Sequence, residues 1–298
     1  MQPVVTVGLD GSPESHAAAR WAADEAEKRK LTLRLLHAWP LLAPEPTGTG
    51  TPPEVDQNYW AKRLVHTARA ELQTRHPGLL VVGSLVPDDA QSALIQAASE
   101  SEMTVLGSRR LESVESYFLG DISLPVVARA QRPVVLVRAD AQERAGEEAP
   151  HSPHEATASR VVVALKLHDS SDELLDFAFH SAAARGVPLL AVHGRSVPLH
   201  ARVPWGVDHD ATEELTGDAR KLLDKALRPW REKYPQVDVA DSVRLTGHAK
   251  AVMHAAEGAS LLVVGRSAHR HGLGSHLGHV VQAALHHVRC PVAVVPHG

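Results

Sequence analysis

Between residues 105 and 138 the chain reads VLGSRRLESVESYFLGDISLPVVARAQRPVVLVR, and its glycines and hydroxyls are spaced as a phosphate cradle would require. Gly107 ends an apolar run without a side chain, so the backbone can turn sharply there and a ligand can approach it. A helix opening near Gly120 would aim its unpaired N–H groups and the positive end of its dipole at the same space, with the Ser123 hydroxyl as a further donor. The same two glycines serve as plain punctuation between a strand and a helix. A G-x12-G spacing alone does not separate the two uses.

The elements that would position these groups come from the hydrophobic pattern. VVTVGL, LRLLHA, TVLG and PVVLVR are almost continuously apolar, as parallel strands covered by helices on both faces are. Between them lie longer helical segments. In SPESHAAARWAADEAEKRK, Ser12 can cap a helix, Pro13 suits its first turn, and Ala18, Trp21, Ala22 and Ala26 share one face. The fold expected is an open, Rossmann-like α/β sheet of about five strands, whose ligand crevice lies beyond the C-terminal strand ends. Asp10, Gly107 and the residues after His37 all sit at such ends.

This order occurs twice. VVTVGLDGS and LRLLHAW are answered by VVVALKLHDS and LLAVHGR, and TVLGSRR with RPVVLVR by LLVVGRS with CPVAVVP. Asp10 and Lys166 are 156 residues apart, as are His37 and His193; Gly107 and Gly265, Gly120 and Gly278, and Pro133 and Pro291 are each 158 apart. Five anchors with a two-residue drift indicate two homologous domains in tandem, over residues 1–140 and 159–298. Residues 141–158, rich in Ala, Glu, Ser, Pro and His, read as a linker. PLLAPEPTGTGTPPEV and RSVPLHARVPWGVDHD exceed the usual connection length and read as surface loops, either lids or tolerated insertions.

Composition bounds the rest. With 298 residues, 44% of them hydrophobic and 22% charged, the chain can bury one large core or two ordinary ones. A net charge of −4 gives nucleic acid no electrostatic footing. No run of 18 apolar residues occurs and MQPVVTVGLD is itself a strand, so the expectation is a soluble, cytoplasmic protein without a membrane partner. One cysteine, Cys290, excludes a disulfide within the chain and reads as a packed thiol. Among the 20 histidines, His276 and His279 could share a helix face, but no carboxylate or Cys stands at a ligand spacing, and no metal is expected. No G-x-S-x-G elbow, Walker loop or dinucleotide fingerprint is present, and no residue offers to position water at a phosphate.

Taken together, the two halves resemble the universal stress protein family in its tandem form, from the first strand to the fifth of each. The resemblance implies an adenine nucleotide, ATP or another, with or without Mg2+, held in the first domain. Gly8, Asp10 and Ala38 would then lie beside the adenine, and Gly107, Arg109, Arg110, Gly120, Asp121 and Ser123 around the ribose and phosphates. Asp10, Gly107 and Gly120 match the family pattern G-x-x-G-x9-G-[ST] and its first-strand acid. Arg110 stands where the pattern has Gly, and Asp121 where it has Ser or Thr. A side chain at 110 costs about 1–2 kcal/mol if that backbone is left-handed. A carboxylate about 4 Å from a phosphate is repelled by about 1 kcal/mol in water and about 4 kcal/mol at an effective dielectric near 20. Arg109 and Arg110 could offset that charge by pairing with the phosphate, or could pair with Asp121 in an empty site; a bridging divalent cation is a third arrangement.

In the second domain Lys166 replaces the acid, Ala268 the second Gly, and His279 follows Gly278. Lysine can only donate, so the adenine amino group loses its acceptor, while Lys166, Arg266 and Arg270 could hold some other anion. The function expected is a stress-associated, adenine-nucleotide-binding regulatory protein without catalytic activity. The alternatives are a nucleotide-free interaction protein with both pockets decayed, or a slow adenine-nucleotide hydrolase. Family relatives often pair through the last strand. The expected partners are therefore the sister domain, through PVVLVR and PVAVVP, and a second copy of the chain, since such edges are exposed unless paired.

Overall fold

Apolar runs too short for helices, bounded by Gly, Pro and polar clusters, become the central strands of two successive units, Met1–Ala145 and Gly146–Gly298. The computed structural model describes residues 3–39, 57–110, 117–118, 122–139, 160–167, 171–196, 202–203, 206–207, 209–267 and 277–298. The linker over 141–158 and the first long loop fall outside these residues.

In the first unit the order is β1 (Val4–Gly8), α1 (Pro13–Arg29), β2 (Thr32–Ala38), α2 (Gln57–Arg75), β3 (Val81–Val86), α3 (Ala90–Glu100), β4 (Met103–Arg110), β5 (Tyr117–Phe118), α4 (Ser123–Arg129) and β6 (Val134–Arg138). The strands align as β3-β2-β1-β4-β6, every pair parallel. The second unit follows with β7 (Val161–Ala164), α5 (Asp172–Arg185), β8 (Leu189–Gly194), β9 (Arg202–Val203), β10 (Gly206–Val207), α6 (His209–Lys233), β11 (Val239–Arg244), α7 (His248–Ala255), β12 (Leu261–Ser267), α8 (His279–His287) and β13 (Val292–His297). Its order, β11-β8-β7-β12-β13, is the same and again parallel. The second long loop is not wholly irregular: β9 and β10 form a small antiparallel ladder within it, and α6 begins at its end.

Sheet register carries the repeat from sequence into space. Gly8 pairs with Leu36, and Ala164, 156 residues on, pairs with Val192. Leu36 pairs with Ser84, and Val192 with Ser242, so the offset becomes 158 on crossing from the second strand to the third. The extra two residues of the second unit therefore fall in the connection that contains the long loop.

Right-handed crossovers dictate which face each helix covers. From β1 through β2 to β3 the chain moves one way across the sheet, with α1 and α2 packed side by side. It then returns past β1 to β4 and β6, with α3 and α4 packed together. Helix α1 can lie close to the strands because Ala18, Ala22 and Ala26 are fully buried small residues. Its N-terminus forms as the spacing predicts: Ser12 accepts from the Ser15 amide at 3.2 Å, and Pro13 takes the first turn. Beneath α3, the Arg34 guanidinium donates to Thr6 Oγ1 at 2.8 Å, to the Ala97 carbonyl at 3.1 Å and to Glu100 at 2.9 Å, tying that helix to β1 and β2.

Gly107 has a packing role of its own. A Cβ there would stand 2.5 Å from the Glu14 carbonyl carbon and 2.8 Å from the Ser15 nitrogen, both backbone atoms at the start of α1. Gly107→Ala should therefore lower the unfolding free energy by roughly 1–3 kcal/mol, the usual cost of overpacking. Gly78→Ala, where nothing lies within 4 Å, is the control in the same urea denaturation series, and equal midpoints for the two variants would refute the contact.

Candidate functional site

The reversal of strand order leaves the C-terminal ends of β1 and β4 side by side with a helix start on either face, and there the first unit opens a crevice. Its volume is about 390 Å3. Leu36, Leu94 and Leu106 supply apolar lining; Asp10, Ser12, Glu14, Ser15 and Ser123 supply polar groups. Gly8, Asp10, Ala38, Gly107 and Ser123, drawn from four separate elements and their ends, all line it. The structure thus brings five of the residues expected from sequence into one place. Gly120 and Asp121 lie outside the described residues, and of Arg109 and Arg110 only the backbone is described.

Two local expectations are corrected. The strand does not end at Gly107: β4 runs on to Arg110, and Arg109 and Arg110 pair antiparallel with Phe118 and Tyr117. Arg110 is thus in strand backbone, and no left-handed cost applies; Lys30, at φ 56°, is the non-glycine residue of positive φ among the described residues. The helix beyond starts at Ser123 rather than at Gly120. Pro125 explains the start, since its fixed φ suits a first turn, and it also removes one of the N–H groups that the turn would otherwise present.

Asp10 is held by its own loop. Its Oδ1 accepts from the Ser12 amide at 2.9 Å and from the Ser12 hydroxyl at 2.5 Å, an Asx turn made possible by Gly11 at φ 85°. Ser15 closes the ring, its hydroxyl donating to the Ser12 carbonyl at 2.9 Å. The carboxylate is therefore fixed at the exposed mouth of the crevice.

A feature that the sequence marked only as a repeat anchor proves structural in both units. The Nδ1–H of His37 donates to the Leu9 carbonyl at 2.8 Å, and that of His193 to the Leu165 carbonyl at 2.9 Å. Each ring ties the residue just past the first strand to the second strand, beside the crevice floor. The contribution of Glu14, Ser12 and Ser15 to the lining was not legible, because their placement depends on how α1 meets β4.

The equivalent crevice of the second unit, between β7 and β12, is smaller, about 120 Å3, and has the opposite character. Lys166, His248, Arg266 and His297 line it, and no Asp or Glu does among the described residues. His248 opens α7 with its ring 5.6 Å from that of His193. Its pKa is lowered from the ordinary 6.5 by burial of the ring, then by His193 and Lys166. Burial also lowers the Arg266 guanidinium from its usual value. Gly265 makes room for His297, whose Nε2 would lie 2.6 Å from a Cβ there.

Comparison with known proteins gives a consistent result. The model described as Universal stress protein family matches residues 1–138 and 157–296. Universal stress protein Rv2005c of Mycobacterium tuberculosis is 32% identical over 298 residues, covering 97% of this chain and 96% of that one. A universal stress protein of Mycolicibacterium smegmatis is 30% identical over 298 residues, covering 98% and 96%. Among solved structures, a universal stress protein from Archaeoglobus fulgidus has the same fold over 99% of this chain and 98% of its own, with a TM-score of 0.64 at 16% identity.

Because the folded state binds a proton at His248 less readily than the unfolded chain does, stability should fall as pH drops below about 6.5. His248→Gln should flatten part of that decline between about pH 7.5 and 5 in urea denaturation. Identical pH dependence in the two proteins would show that this ring is not strained toward neutrality.

Proposed function

The chain belongs to the universal stress protein family, and on that footing we propose that its first unit binds an adenine nucleotide in the crevice between β1 and β4 and works by binding rather than by turnover. The observation that carries this is the convergence of Gly8, Asp10, Ala38, Gly107 and Ser123 on one crevice at the switch in strand order. Its size, about 390 Å3, lies within the range of small-molecule pockets.

The lining fits an adenosine moiety. Leu36, Leu94 and Leu106 offer apolar surface to a purine, and Asp10, already oriented by Ser12, offers an acceptor for its amino group. The phosphate end fits less simply. Asp10 and Glu14 both line the crevice, so a polyphosphate entering it meets like charge, and Mg2+ carried in with ATP would reduce that repulsion. A monophosphate carries less of the penalty. Nucleotide occupancy would then act as a signal, changing the surface offered at the start of α4, where Ile122 and Ser123 line the crevice. No helix among the described residues is long and apolar enough to cross a membrane.

Titration of the purified full chain with ATP and with AMP, each with and without magnesium, tests the reading. One saturable site is expected, weakened at least about tenfold in Asp10→Ala by loss of a hydrogen bond to a charged group. Absence of binding up to about 1 mM, or binding indifferent to Asp10, would favour an interaction protein without a nucleotide. Sustained phosphate release at saturating ATP would overturn the claim that the chain does not turn the nucleotide over.

A further inference from the structure

The two crevices occupy the same place in the same fold, yet their aligned positions differ systematically in charge. Where the first unit has Asp10, the second has Lys166; Asp89 and Ala90, at the start of α3, become Gly247 and His248; Ser108 becomes Arg266, and Ala139 becomes His297. All five changes move toward positive charge. Four of the resulting side chains, Lys166, His248, Arg266 and His297, line the cavity together.

Two of the three helix starts have changed in the same direction; the third has not, since Ile122 at the start of α4 in the first unit makes no side-chain capping bond either. In the first unit Ser12 and Asp89 cap α1 and α3 with side-chain bonds to the amides of Ser15 and Ser92. In the second, none of the caps Ser171, Gly247 and Gly278 makes a side-chain capping bond, and α5, α7 and α8 all begin around the cavity, which Ser171, His248 and Gly278 line. The positive ends of three helix dipoles thus add to the cations Lys166 and Arg266 and to the ring nitrogens of His248 and His297. The acids Asp172 and Glu173, in the first turn of α5, are exposed and do not line the cavity. Burial opposes the charge on Arg266.

We infer that the second crevice is a site for a small phosphate-type oxyanion, held by Lys166, His248 and Arg266, and distinct in ligand from the first. An adenine base is disfavoured there for two reasons. Lys166 cannot accept from its amino group, and about 120 Å3 suits an inorganic phosphate or pyrophosphate rather than a nucleoside. Arg266 matches the oxyanion as a planar fork of donors, and Lys166 as a mobile point charge at the mouth. The inference does not depend on nucleotide binding by the first unit.

Calorimetric titration of the full chain with and without Asp10→Ala, which weakens the first crevice, separates the two sites. Inorganic phosphate, pyrophosphate and AMP are each added at constant ionic strength with chloride as the balancing anion. Phosphate and pyrophosphate should saturate one site with the same affinity in the presence and absence of Asp10→Ala, while AMP binding is weakened at least about tenfold by it. Lys166→Gln, at an exposed position, should weaken pyrophosphate binding about tenfold or more without altering thermal unfolding. Arg266→Gln should do the same, and if it fails to fold the Lys166 variant decides alone. No saturation up to about 10 mM, or saturation unchanged by Lys166→Gln, overturns the site. So does AMP binding that is unchanged by Asp10→Ala and is lost with Lys166→Gln.

Discussion

A right-handed crossover can place its helix on only one face of a parallel sheet, and the position of both crevices follows from that restriction. With strand order β3-β2-β1-β4-β6, the chain must reverse direction once, and its helices must change face at the same step. The gap so created lies between β1 and β4, and between β7 and β12 in the second unit. Backbone ends, helix starts and loop residues gather there without any need for ligand-specific side chains. The scaffold therefore supplies a concave, dipole-lined site before chemistry is chosen.

Holding that gap in shape demands close contacts that leave little freedom. Gly107 lets β4 touch the backbone of α1 at Glu14 and Ser15, and the run of buried alanines lets the rest of α1 follow. His37 and His193 then pin the residue after the first strand of each unit through a bond to its carbonyl oxygen. Since an unpaired carbonyl buried beside the crevice floor would be costly, the same histidine recurs in both units although their ligand-facing residues diverge.

On this common frame the two units carry opposite charge. The first combines Asp10 and Glu14 with apolar surface; the second combines Lys166, His248, Arg266 and His297 in about a third of the space. Duplication followed by loss of function would leave a pocket with mixed or neutral lining. A lining without carboxylates among the described residues, next to helix starts without side-chain caps, is the pattern of a site turned to another ligand class.

Residue pattern alone was enough for the duplication, the parallel sheets and the strand ends, because continuous apolar runs and fixed spacings are local properties. Anchors 156 and 158 residues apart in the chain reappear as matching sheet registers. It also pointed to Asp10, Gly107, Ser123 and the residues after His37, whereas Gly8 and the ligand roles came only from the family resemblance; all five residues line the crevice, although Gly107 lies within β4 rather than at its end. It could not foresee that β4 would run on to Arg110 in a hairpin, that Pro125 would delay α4 to Ser123, or that Glu14 would line the first crevice. Least visible was that His248 and His297 join Lys166 and Arg266, the four lying in separate segments spread over 132 residues. Charge at a site is a sum over groups that are distant in the chain and near in space, and only the tertiary structure performs that sum.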